Sequence, residues 1–332
     1  MTKLFLAGML ALVLSAAGCA STSDSSPSQS AARTKSSLVL EPWEYRQKPA
    51  RTVLTTHYAI HTTIADQEFL GKLAVLMEGA LEQYRLFAPD VTLTSDPLDC
   101  FVFAKRPEWA EFTAAKTGSD AALYLQINRG GYTVRDWYVA YFIGDVGTYA
   151  VAAHEGWHQY VARHFKSRLP PFLEEGLATM FENVTFYSVS PKWDLSPSSH
   201  RATKLRNAIE TKNLWPLERL MTMHAGEVVS MSGARIEAFY AQNWAFAEFL
   251  WEGEGGKYRP ALQRLLRDCA NGAVFDGNPP SERRTITDGW DPATVRPMLE
   301  HYLGMDLPEI DKAYKAYCRK IAYAGRSSAG AD

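Results

Sequence analysis

Apolar residues return every three or four positions between Gln67 and Phe87 and again between Val146 and Phe165, the period of a helix that buries one face. Val53 to Thr63 alternates instead, as a half-buried strand does, and Leu98 to Ala104 is an apolar run of strand length. Pro107 to Lys116 has a helical pattern. Leu123 to Asn128 and Tyr132 to Ile143 read as strands, with Gly130-Gly131 as the turn between them. Pro170-Pro171 suits the entry to another helix, on which Leu173, Leu177, Met180 and Phe181 form an apolar stripe. Val184 to Ser199 is irregular, with aromatics and prolines. Helical patterns then follow over Ala202–Thr211, Leu217–His224, Arg235–Trp251, Tyr258–Asn271, Thr294–Leu303 and Leu307–Ala324, interrupted by a Gly/Pro-rich loop from Phe275 to Asp291. Strands thus precede the Val146–Phe165 helix and helices follow it. The expectation is an α+β domain over residues 51–325, with a sheet-bearing lobe (51–166), a helical lobe (167–325) and a cleft between them.

The chain has 332 residues, 46% of them hydrophobic and 22% charged, with a formal net charge of −2, so nothing in its charge points to nucleic acid. Its start differs from the rest. Lys3, the apolar stretch Leu4 to Leu14 and Ser15-Ala16-Ala17-Gly18-Cys19 resemble a bacterial lipoprotein signal, with Cys19 as the residue that receives lipid. Residues 20–50, rich in Ser, Thr, Ala and Pro, read as a flexible tether. Cys100, Cys269 and Cys318 remain. The last two lie on predicted helices of one lobe, and the spacing leaves open whether they pair or stay free.

The chemistry concentrates in His154-Glu155-Gly156-Trp157-His158, inside the Val146–Phe165 helix. Helix residues four apart share a face, so both imidazoles can reach one ion, with Glu155 one step round beside it. This is the H-E-x-x-H arrangement in which histidines hold zinc and the glutamate handles a water's proton. A catalytic zinc needs a third protein ligand and an open position. His164, six residues beyond His158, is one candidate, but Val161 stands where a helix-breaking glycine would be needed to turn it back. His164 therefore reads as a helix-end residue. The other candidate is the Glu174-Glu175 pair in Leu169–Glu182. The two are about 100° apart on a helix, so one is expected to reach the metal and the other to be turned away. His57, His61, His200, His224 and His301 have no ligand-like spacing.

Together these segments resemble the gluzincin metallopeptidases, in which the ligand glutamate sits in a Glu-Gly-x-Ala segment on the helix after H-E-x-x-H. With Tyr240-Ala241-Gln242-Asn243-Trp244-Ala245, the pattern is similar to a bacterial gluzincin-like family catalogued as a domain of unknown function. The resemblance implies a zincin-like (thermolysin-like) fold. It implies Zn2+ held by His154, His158 and Glu175, with Glu182 as the supporting carboxylate and Glu155 as general base and acid. Tyr240 is the candidate oxyanion donor, with a core tyrosine stacked near Trp244 as the equal alternative. Tyr132 to Phe142 is the candidate edge strand for an extended peptide substrate, with an ordinary core strand as the other reading. The Gly-x-Met-Glu-Asn segment of the large aminopeptidases is absent, so aminopeptidase specificity is not implied. The expected function is a membrane-anchored metallopeptidase acting on a peptide or protein. The alternative is a catalytically inert lipoprotein scaffold of the same fold.

Overall fold

The structure, a computed structural model, describes residues 7–9, 39–128, 130–195, 199–228, 231–279, 285 and 291–324. Cys19 and residues 20–38 of the expected tether lie outside these, as does most of the expected leader and much of the Phe275–Asp291 loop.

Nine strands and twelve α-helices are described: β1 (Ala7–Met9), β2 (Val39–Tyr45), β3 (Lys48–Leu54), β4 (Tyr58–Thr62), α1 (Gln67–Phe87), β5 (Leu98–Phe103), α2 (Arg106–Thr117), α3 (Ala121–Tyr124), β6 (Gly131–Val134), β7 (Trp137–Tyr141), α4 (Asp145–His164), α5 (Pro171–Met180), β8 (Val184–Tyr187), β9 (Ser190–Trp193), α6 (Ser199–Glu210), α7 (Leu217–Leu220), α8 (Ala225–Val228), α9 (Gly233–Glu252), α10 (Arg259–Asn271), α11 (Val295–Leu303) and α12 (Leu307–Ala322). The chain is α+β. Among the described residues no helix is long and apolar enough to cross a membrane.

Strand order in the main sheet is β1-β6-β7-β5-β4-β3-β2. The β2-β3-β4 meander is antiparallel, whereas β4, β5 and β7 run parallel. Parallel neighbours need a crossover, which α1 supplies between β4 and β5. Residues on β5 alternate between the two faces of the sheet. Cys100 Sγ donates to Gln159 Oε1 of α4 on one face (3.6 Å), while Phe101 and Phe103 meet Phe112 of α2 on the other (4.6 and 5.1 Å between ring centres). The fully buried Gln159 also donates through Nε2 to the carbonyls of Asp99 and Asp136, both at 2.8 Å. A single amide thus fixes α4 to β5 and to the β6–β7 turn, with its acceptor and donor sides both used.

Several boundaries depart from the sequence pattern. The Val53–Thr63 strand is two strands, β3 and β4, with a turn at residues 55–57. The expected tether ends earlier than residue 50, because β2 begins at Val39 and Trp43 and Tyr45 pack on the sheet, Tyr45 5.0 Å from Phe103. Leu123–Asn128 is not a strand: the end of α3 and a turn occupy it, and Tyr124 packs 4.3 Å from Tyr132. The hairpin turn of Tyr132–Ile143 falls at Arg135-Asp136, with Arg135 in the left-handed region at φ 55°, rather than at Gly130-Gly131. Val184–Ser199 contains the β8–β9 hairpin, and the Leu217–His224 helix is only the four-residue α7. Cys269 and Cys318 are buried and unpaired, as is Cys100.

The interior joins these elements through aromatic rings. Tyr84 and Phe87 of α1 stack edge-on against Phe181 (4.7 and 5.2 Å), which touches Trp157 of α4 (5.4 Å), and Phe87 lies flat on Trp251 of α9 (3.8 Å). Such contacts add to the area these side chains remove from water and tie α1 to both α4 and α9.

Candidate metal centre

Helix α4 carries His154 and His158 one turn apart, and their Nε2 atoms converge to 3.3 Å. Helix α5 brings Glu175 Oε2 to 3.5 Å from His154 Nε2 and 3.8 Å from His158 Nε2. All three side chains are buried, and together they can hold a metal ion. Ligand atoms about 2.0–2.1 Å from a tetrahedral ion stand roughly 3.3–3.4 Å from one another, so this triangle has close to the size the ion requires. Glu175 Oε2 is buried without a hydrogen-bond partner. The two imidazoles are at ion-pair distance but make no well-formed hydrogen bond to it, and a cation at the centre of the triangle would pair with it directly.

The outer nitrogens reinforce this geometry. His154 Nδ1 donates to Glu182 Oε1 (2.9 Å) and His158 Nδ1 to Glu174 Oε1 (2.8 Å). An ionised carboxylate accepts only, so each Nδ1 carries the hydrogen and each Nε2 keeps its lone pair for the centre. The same carboxylates favour a proton there. Burial opposes charged imidazoles, yet Glu175 and Glu182 hold His154 up at about 9, and Glu174 with Glu175 raises His158 well above its ordinary value. Proton and metal therefore compete for the two Nε2 atoms. Burial also opposes an ionised Glu175, but the two imidazoles hold its carboxyl down at about 2.

Glu174 is the principal correction. The expectation that the helix turns it away assumed one target, and there are two. Adjacent glutamates on α5 meet different nitrogens of the same ring, because His158 presents Nε2 inward and Nδ1 toward the start of α5. Glu182, the candidate supporting carboxylate, meets His154 Nδ1 from the turn after α5, which ends at Met180, rather than from the helix itself. The position of α5 depends on Gly176. A Cβ there would stand 2.2 Å from the carbonyl oxygen of Asn243, so only glycine lets α9 approach this closely. Gly156, between the histidines, has a similar role: its Cβ would meet the Tyr84 hydroxyl at 2.6 Å.

Glu155 is fully buried beside the triangle. Its Oε2 accepts from Thr133 Oγ1 of β6 at 2.8 Å, and its Oε1 has no partner. Burial pushes its carboxyl up to about 7 against the opposing pull of His154 and His158, which puts proton uptake and release near neutrality. Tyr240, buried on α9, feels the charges of Glu175 and Glu155. Burial and those carboxylates raise its phenol well above the ordinary value, so it keeps its proton. Its ring partner is Phe239 at 5.3 Å rather than Trp244. His164 ends α4 against Tyr160 (5.1 Å), with burial and Arg163 lowering it to about 4, and takes no part in the triangle.

Sequence reasoning missed Thr133 and Arg201. Thr133 stands in a strand pattern with nothing to mark its hydroxyl. Arg201 of α6 forms a short ion pair through Nη2 with Glu182 Oε2, and no spacing links it to the metal motif. No family model, curated protein or solved structure matches the chain.

Proposed function

We propose that this protein is a zinc-dependent hydrolase of peptide bonds, a metallopeptidase of gluzincin type and zincin-like (thermolysin-like) fold, anchored through lipid on Cys19 in a bacterial cell envelope. The observation that carries the reading is Glu155: a buried carboxylate with one oxygen fixed by Thr133 and the other unpartnered, beside three converging ligand atoms. A site with a purely structural metal has no use for such a group and closes its fourth position with protein.

His154, His158 and Glu175 would hold Zn2+, and Glu174 and Glu182 orient the two rings. Bound there, zinc supplies a Lewis acid that polarises a carbonyl and acidifies water. Glu155 Oε1 accepts the proton of the attacking water and returns it to the departing amine. A carboxylate with one free oxygen can do both, as base and then as acid. Thr133 keeps Oε2 from turning toward other partners. Tyr240, protonated, is the donor nearest in character to what a developing oxyanion needs.

Two measurements test this: metal analysis of the purified chain, and incubation with a diverse peptide library read by mass spectrometry. About one zinc per chain with metal-dependent cleavage is expected. Absence of zinc after expression with zinc present overturns the reading, and a fully loaded protein that cuts no peptide favours the inert scaffold. For the anchor, wild type should sediment with membranes and Cys19→Ser should not; equal distribution of the two rejects it.

A further inference from the structure

We propose that Arg201 is a positioning residue for the metal centre: it fixes Glu182, and through Glu182 the ring of His154, so that zinc affinity depends on a side chain that touches no ligand. The inference rests on the zinc reading above.

The two histidines are supported unequally. Glu174, behind His158, pairs with no lysine or arginine among the described residues, and its side chain is 14% exposed. Glu182, behind His154, is 11% exposed and splits its two oxygens: Oε1 accepts from His154 Nδ1 at 2.9 Å, and Oε2 meets Arg201 Nη2, itself on a side chain 11% exposed. A buried carboxylate with one oxygen unpaired is unstable in that place; it turns toward water or takes up a proton. Either change loosens the hydrogen bond that keeps the hydrogen on Nδ1 and aims Nε2 inward. Arg201 closes that route. Helix α6 itself does not explain the arginine. It sits in the first turn of α6, where the helix dipole disfavours a cation, so its partner across the interface decides its place. The neighbouring Lys204 Nζ to Glu237 Oε1 pair (2.7 Å) ties α6 to α9 and sets the distance over which Arg201 reaches.

This role has a sign that a simple charge does not share. A positive charge near a cation repels it, so if Arg201 acted only as a charge its removal would tighten zinc binding. As an anchor, its removal weakens binding.

The test is zinc affinity of the full-length protein, measured by competition with a chromophoric chelator. Arg201→Met should weaken zinc about tenfold, the low end for loss of an outer hydrogen-bonding group, and Arg201→Lys should recover part of the loss. Glu182→Leu should weaken it at least as much, and Arg201→Met added to it should cost little more. Arg201→Met added to Glu174→Leu should multiply the two losses, because those groups serve different rings. Unchanged or tighter binding in Arg201→Met, or full multiplication with Glu182→Leu, overturns the proposal while the wild type still binds zinc. Wild type that binds no zinc overturns both readings. Melting of the metal-free variants separates lost affinity from lost folding, and Arg201→Lys keeps the comparison open if Arg201→Met does not fold.

Discussion

Glu174 Oε1 lies 2.8 Å from His158 Nδ1, so the glutamate next to the ligand Glu175 supports the second histidine instead of facing away. Two adjacent residues of one helix thereby act on one imidazole from opposite sides. Glu174→Leu should weaken zinc by roughly 10- to 100-fold, the usual range for an outer-shell partner. Glu175→Leu, which removes a ligand, should cost far more. Chelator competition on both variants checks the order, and a Glu174→Leu protein with wild-type affinity would reduce the contact to packing.

Glu155→Gln leaves all three ligand residues and the Thr133 hydroxyl in place but removes the group that takes the proton. Zinc content should stay near the wild-type value while peptide hydrolysis falls by about 10²-fold or more. Tyr240→Phe should retain zinc and lose part of the rate, as for one missing oxyanion donor. The decisive measurement is rate per bound zinc. A Glu155→Gln protein as fast as wild type would remove the mechanism.

Gly176→Ala tests the close approach of α5 and α9. The added methyl would stand 2.2 Å from the Asn243 carbonyl oxygen, and that oxygen belongs to a helix backbone that cannot move alone. Overpacking of this kind costs about 1–3 kcal/mol or more. A lower melting temperature is expected together with weaker zinc, because α5 carries Glu174 and Glu175. Unchanged melting would mean the helices separate easily.

The centre was more legible than its surroundings for a physical reason. His154 and His158 are fixed by helical geometry alone; Glu175 is distinguished from Glu174 only by the resemblance to Glu-Gly-x-Ala, and the structure gives that glycine a reason in the close passage of α9. Glu174 and Arg201 depend on how helices meet, which spacing does not encode; a glutamate and an arginine read equally well as solvated. Long helices such as α1 and α9 followed their period closely. The Leu123–Asn128 segment did not, since a short apolar run fits a strand and a buried turn alike, and Tyr124 settles it by packing on Tyr132. The β2 strand was hidden because its residues are mostly exposed, with little alternation beyond Trp43 and Tyr45.

Glu248 offers a prediction about stability apart from the metal. It lies on α9 with 1% exposure, and its Oε2 has no partner. Burial, with Glu252 adding to it, raises its carboxyl from 4.5 to about 8. The sign follows from proton counts. Below about 4.5 the folded and unfolded chains both hold the proton, and the group has no effect on stability. Between about 4.5 and 8 the unfolded chain releases it while the folded chain keeps it, so stability falls as pH rises, by up to about 1.4 kcal/mol per pH unit. Above that window the cost is constant. By neutral pH the accumulated cost is on the order of 3 kcal/mol, and Glu248→Gln should recover much of it because the amide is neutral throughout. The variant should therefore melt close to wild type at pH 4.5 and well above it at pH 7.5. Denaturation curves for both proteins at the two pH values check this. A difference that does not grow with pH would mean that Glu248 is ionised in the folded chain, with a partner or water supplying what burial removes.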